Sequence, residues 1–174
     1  MLRKLFSLTL FMTVFASFIG FSQTTNTASA NADAEMSLPI AISAGPGLRF
    51  GGFMPGATPG TVVVPANQNL PRTATGGVTL VAAFDREIGE INVAGNPFAD
   101  YSLTIPSEPV SIKLITNQAI QMTLSNITYY TDSGELKLGE TGYQYVTFGG
   151  TLNVAADQLK GDYEGSFEIT ATYQ

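Results

Sequence analysis

The chain closes on a turn, Gly161-x-Tyr163-x-Gly165, and then on a strict alternation. Phe167, Ile169, Ala171 and Tyr173 fall on one side, and Ser166, Glu168, Thr170 and Thr172 on the other. A period of two is that of a strand with one face in a core and the other in water, because successive side chains leave a pleated backbone in opposite directions. The same theme recurs from Glu35 onward, each short alternating run being followed by Gly, Pro, Asn or Asp punctuation. Beyond the N-terminal apolar run no segment sustains a helical period, and only Ala155 to Lys160 has room for a single turn. Many short strands at this spacing, without helices, predict an all-β fold of the sandwich or barrel kind.

Met36, Leu38, Ile40 and Ile42 alternate, and Pro39 lies among them. Proline cannot donate to a ladder, so this run is predicted to be an edge strand. Further strands are expected over Leu48 to Phe53, Thr61 to Pro65, Gly77 to Ala83, Tyr101 to Ile105, Val110 to Leu114, Ile120 to Leu124, Tyr143 to Phe148 and Thr151 to Val154. Ile88 falls out of phase with Ile91 and Val93, which predicts a bulge near Gly89. Asp132-Ser133-Gly134 reads as a tight hairpin between Thr128 to Thr131 and Glu135 to Leu138.

At the other end, Arg3 and Lys4 precede an apolar run from Leu5 to Phe21 that breaks into the polar stretch Ser22 to Asn31 with no basic flank. This predicts a signal peptide over 1–22 rather than a transmembrane anchor, with cleavage after Ser22 preferred to cleavage after Ala30. A polar N-terminal segment, 23–34, and one β-sandwich domain, 35–174, then remain. Removal of Arg3 and Lys4 leaves six basic against fourteen acidic residues and moves the formal charge from -6 to -8. Such a balance opposes nucleic acid and anionic lipid as partners, since both need basic patches. With no cysteine, neither a disulfide nor a lipid-bearing cysteine is available, and the fold rests on burial alone.

The absence of histidine and cysteine removes the usual general base, the Ser-His-Asp arrangement, thiol catalysis and most transition-metal sites. Lys113, Lys137 and Lys160 sit in no nucleophile motif, and the carboxylate group Asp85, Glu87 and Glu90 reads as a solvated loop rather than a glycosidase pair. Calcium is the one metal to weigh, at Asp157, Asp162 and Glu164 or at Asp132 and Glu135, but neither set follows a known loop spacing and turn roles are preferred. No enzyme, cofactor or metal is expected. Tyr129-Tyr130 and Tyr143 with Tyr145 offer aromatic surface for a sugar or protein, with one member of such a set expected in the core.

Leu48-Arg49-Phe50-Gly51, Gly60-Thr61-Val62, Val93-x-Gly95-x-Pro97 leading to Tyr101-x-Leu103-x-Ile105-Pro106, Phe148-Gly149-Gly150-Thr151-Leu152 and Gly161-x-Tyr163-x-Gly165 with closing Tyr173 occur in this order. Together they resemble the bacterial domain-of-unknown-function family 4402 over essentially all of Glu35 to Gln174. The ending is also similar to spore-coat-U and archaic pilin domains, although the cysteine pair of many such pilins is missing here. The resemblance implies a secreted or surface-exposed immunoglobulin-like antiparallel β-sandwich with no established activity. On physical grounds Gly51, Gly95, Gly150, Gly161 and Gly165 read as turns or close approaches of backbone. Tyr163 reads as a corner tyrosine that bonds upstream backbone.

Two functions are expected. The first is a surface or periplasmic structural or adhesive protein of pilus-like kind, in which Met36, Leu38, Ile40 and Ile42 form an edge or exchanged strand. Pairing of this run within its own chain is preferred, because no other run substitutes for it. The alternative is a secreted module that binds a glycan or protein through loops such as Gly51 to Gly60 and Asn67 to Thr75.

Overall fold

The structure, a computed structural model, describes residues 33–34 and 36–174. The expected signal peptide and nearly all of the polar segment lie outside the described residues. Twelve strands follow in chain order: β1 (Ala41–Ala44), β2 (Phe53–Met54), β3 (Gly60–Val64), β4 (Thr73–Gly76), β5 (Thr79–Leu80), β6 (Gly89–Ala94), β7 (Tyr101–Thr104), β8 (Val110–Leu114), β9 (Asn117–Tyr130), β10 (Tyr143–Val154), β11 (Tyr163–Glu164) and β12 (Thr170–Tyr173). Among the described residues there is no helix and every strand pairing is antiparallel, so the chain is all-β as its alternation predicts.

The large sheet runs β1-β6-β10-β9-β8-β11, with β3 and β4 attached through β10. Strand β10 organises it. One edge of β10 pairs with β9, while the other pairs first with β6 through Tyr143 to Phe148 and then with β3 through Gly150 to Val154. The change of partner falls on Gly149-Gly150, where the register with β9 also shifts. A β-carbon on Gly149 would lie 2.1 Å from the Val64 carbonyl oxygen. Only glycine lets the end of β3 approach there. Opposite the shift, Asn126 takes a φ of 49°, a left-handed conformation that asparagine tolerates better than most residues. The two runs predicted over Ile120 to Leu124 and Thr128 to Thr131 are therefore one kinked strand.

A second layer, the β7-β12 ribbon, lies over part of this sheet, and β2-β5 forms a third small ribbon. Inward side chains of β6 and β10, among them Ile91, Val93, Val146 and Phe148, join Tyr101 and Leu138 in one buried cluster. Val62, Val64, Leu124, Leu152 and Val154 belong to a second cluster, built mainly from β3, β9 and β10. Leu48 and Phe167 pack against both, so they mark the line where the two clusters meet. Each fully buried aliphatic side chain contributes about 1.5–3 kcal/mol.

Several expectations are corrected in detail. Ile88 is out of phase because it belongs to the second cluster while Ile91 and Val93 belong to the first, and the β6 ladder runs without a shift from Gly89 to Ala94. The Asp132-Ser133-Gly134 turn forms, with Gly134 at a φ of 75°, but it does not make a hairpin. Strand β9 pairs with β10 instead, and the Glu135 to Leu138 segment bridges across to Asp100 through Lys137. Leu48 to Phe53 is mostly irregular, since Gly51 has a φ of 70°. Gly77 to Ala83 keeps only the two residues of β5 as strand. Ala155 to Lys160 contains a turn and no helix.

Candidate functional site

The terminal alternation is half used by the ladder. Thr170 to Tyr173 pair with Thr104 to Tyr101, whereas Gly165 to Ile169 lie outside every strand. Phe167 and Ile169 nevertheless stay half-buried and Glu168 stays exposed, so the stretch keeps the facing of a strand without a neighbour. Gly165 runs so close to β8 that a β-carbon would sit 2.7 Å from the Ser111 carbonyl oxygen. The Phe167 ring then meets Phe148 edge-on, with centroids 5.6 Å apart at 82°.

Between this stretch and β1 opens an apolar cleft of about 350 Å³. Ile42 and Ala44 of β1 line it, as do Phe167 and Ile169, with the buried Leu124 and Phe148 behind them. Strand β1 ends the large sheet, bonded to β6 on one side only, and all four of its residues are exposed. An outer strand presents a row of unpaired N–H and C=O groups that invites a further strand. The arrangement suits apolar side chains on an extended backbone, and no pair of titratable groups points into it for acid-base chemistry.

The run Met36, Leu38, Ile40 and Ile42 does not share one buried face. Met36 and Leu38 are 92% and 54% exposed, Ile40 packs against the first cluster, and Ile42 lines the cleft. Pro39 interrupts the ladder, which begins only at Ala41. Side chains replace the missing strand partner: the Leu38 amide donates to Asn96 Oδ1 at 2.7 Å, and the Leu38 carbonyl accepts from the Tyr173 hydroxyl at 2.9 Å. Asn96 Nδ2 also donates to Ser37 Oγ, and the Asn96 amide donates to the Tyr173 oxygen at 2.8 Å.

The predicted turn residues have specific neighbours. At Gly95 a β-carbon would fall 2.0 Å from the Tyr173 hydroxyl, at Gly150 2.7 Å from Leu124 Cδ1, and at Gly161 2.5 Å from Leu114 Cδ1. The Tyr163 hydroxyl donates to the Leu159 carbonyl at 2.6 Å and accepts from Gln158 Nε2. At Gly51 a β-carbon would strike the guanidinium of Arg72. Arg72 itself went unnoticed in the sequence. Its side chain is 7% exposed and donates to the carbonyls of Phe50, Gly52 and Val81, with Asp85 3.8 Å away. The available signal was its isolation, for Arg72 is the one charged residue between Arg49 and Asp85.

Of the acidic group, Glu87 pairs with Arg49 at 3.2 Å and Asp85 lies beside Arg72 while accepting from the Arg86 amide. The two are held by different partners. Among the described residues no three Asp or Glu side chains gather to hold a metal ion. Tyr143 and Tyr145 are both exposed, which corrects the expectation that one would pack inside, because residues two apart on β10 share its outer face.

The fold and cleft define an antiparallel all-β domain with an open edge and an apolar groove beside it. The chain belongs to the family described as Domain of unknown function (DUF4402), whose family model matches residues 40–173. No curated protein and no solved structure matches it. Among the described residues no helix is long and apolar enough to cross a membrane.

Proposed function

We propose that this chain is an exported, non-enzymatic structural or adhesive protein of the cell surface or periplasm. In this reading it is an immunoglobulin-like sandwich whose copies join as pilus-like subunits. One observation carries the proposal: the apolar cleft is flanked by the exposed strand β1 and by Gly165 to Ile169, a stretch with strand facing and no ladder partner. An extended segment laid there would gain main-chain hydrogen bonds and bury alternate side chains, which is how strand addition combines affinity with specificity. The occupant is the Met36 to Ile40 segment of a second copy, whose exposed Met36 and Leu38 supply apolar side chains at a spacing of two. Export rests on Arg3, Lys4 and the apolar run to Phe21.

The test is light scattering after size-exclusion chromatography of the exported protein over a wide concentration range. Oligomers that vanish in Ile169→Lys are expected. A monomer at every concentration would overturn the proposal. The second reading, a secreted binding module, is favoured by the aromatic outer face of β10, and does not exclude the first.

A further inference from the structure

The outer face of the large sheet carries a feature that subunit joining does not use. Strand register places Glu90 of β6, Thr147 of β10 and Tyr130 of β9 side by side across three strands. Tyr145 and Tyr143 follow on the same face of β10, two and four residues from Thr147. Their neighbours Val146 and Phe148 point the opposite way into the core, so the two tyrosines face away from the cleft, while Glu90 borders both the cleft and this face. A shallow hollow of about 140 Å³ lies here, walled by Tyr130 and Tyr145 and edged by Gln68, Glu90 and Asp132.

We propose that this hollow is a binding site for a neutral sugar ring. A pyranose has one or two faces of C–H groups and a rim of hydroxyls, so its site needs an aromatic ring for the first and fixed polar groups for the second. Tyr145 is 73% exposed, so its ring face is free to stack on such a C–H face. Two carboxylates and one primary amide surround the hollow, and these groups accept from and donate to paired hydroxyls. Thr147 is already committed to the carbonyls of Ala66 and Tyr130, which fixes the floor. No lysine or arginine lines the hollow, and Glu90 and Asp132 set a negative field, so acidic sugars are repelled and uncharged ones accepted.

The site rests on the second reading, a secreted binding module, and is tested apart from the joining of subunits. The intact mature protein is applied to an array of neutral and acidic glycans, and a responding neutral oligosaccharide is then titrated by calorimetry against wild type, Tyr145→Ala and Asp132→Asn. Both residues are exposed, so the variants are expected to fold, which circular dichroism checks. Binding to neutral glycans that weakens about tenfold or more in Tyr145→Ala, with the oligomer distribution unchanged, is expected. A blank array, a preference for acidic glycans, or affinity untouched by both substitutions overturns the assignment, whatever the light scattering shows.

Discussion

The Tyr173 hydroxyl donates to the Leu38 carbonyl at 2.9 Å, joining residues 135 positions apart and tying the last strand to the segment before the first. The same oxygen accepts from the Asn96 amide, and it sits where a β-carbon on residue 95 would be. Gly95 and Tyr173 are thus one device: the missing side chain of the first makes room for the hydroxyl of the second. Tyr173→Phe leaves the exposed Leu38 carbonyl to water and the part-buried Asn96 amide without its partner, at a cost of about 0.5–1.5 kcal/mol. Urea denaturation should show a lower midpoint with an unchanged slope, and hydrogen exchange should rise first around Ser37 and Leu38.

At Gly149 a single added methyl should be worse. The β-carbon would meet the Val64 carbonyl oxygen, the Ala66 nitrogen and the Pro65 carbonyl carbon, all backbone atoms that no rotamer change can move. Gly149→Ala is expected to cost upwards of about 3 kcal/mol, beyond the usual range for one substitution, because β3 and β10 must part. Gly134→Ala, at a turn with open space around it but a φ of 75°, is the milder control at about 1 kcal/mol. Equal thermal shifts in the two variants would sink the argument.

These two glycines show what was legible in the sequence. Strand facing was readable because a period of two survives any partner: Phe167 and Ile169 face inward even where the ladder has lapsed. Partner choice was not readable. Nothing in Thr128 to Leu138 distinguishes a hairpin from a crossing between layers, since the turn chemistry of Asp132-Ser133-Gly134 serves both. The cleft was invisible for a related reason. It arises from what lies between β1 and residues 165–169, far apart in sequence, and alternation in each reports only that one face is apolar.

Arg72 supplies a third expectation. Its guanidinium satisfies three carbonyls in a loop region that has little ladder of its own, and burial makes each of those bonds costly to lose. Arg72→Ala should cost about 3 kcal/mol, and Arg72→Lys nearly as much, because an ammonium lacks the planar fork that reaches Phe50 and Val81 together. Full rescue by lysine, judged from melting temperatures, would show that charge rather than geometry is what matters there.

Alkali should loosen the second layer. Tyr101 is 1% exposed and donates to Gln144 Oε1 at 2.5 Å, and burial, reinforced by nearby Tyr129, pushes its pKa from 10.0 up to about 12. Between those values the folded protein keeps a proton that the unfolded chain has released. Stability is therefore intact below pH 10 and falls as the pH rises toward 12, by at most about 3 kcal/mol from this group. Tyr101→Phe should be less stable at neutral pH, having lost the bond to Gln144, yet should flatten the decline above pH 10. An unchanged alkaline slope in that variant would place the titrating group elsewhere.

The clamp on Leu38 finally connects stability to assembly. In its own domain this segment is held by Asn96 and Tyr173 and by the packing of Ile40 rather than by a ladder, so its release costs a few side-chain hydrogen bonds and one half-buried side chain while the main sheet stays whole. If the segment of one copy enters the cleft of another, weakening the clamp lowers the stability of the monomer and raises the population able to exchange. Asn96→Ala combined with Tyr173→Phe should then shift light scattering toward larger species at concentrations where the wild type is smaller, with single-exponential growth set by segment release. Adding Ile169→Lys, which places a charge in the cleft, should cancel the growth without restoring the lost stability. A destabilised double variant that stays the same size as wild type would mean that the clamp only closes the fold, and that the N-terminal segment takes no part in joining one copy to the next.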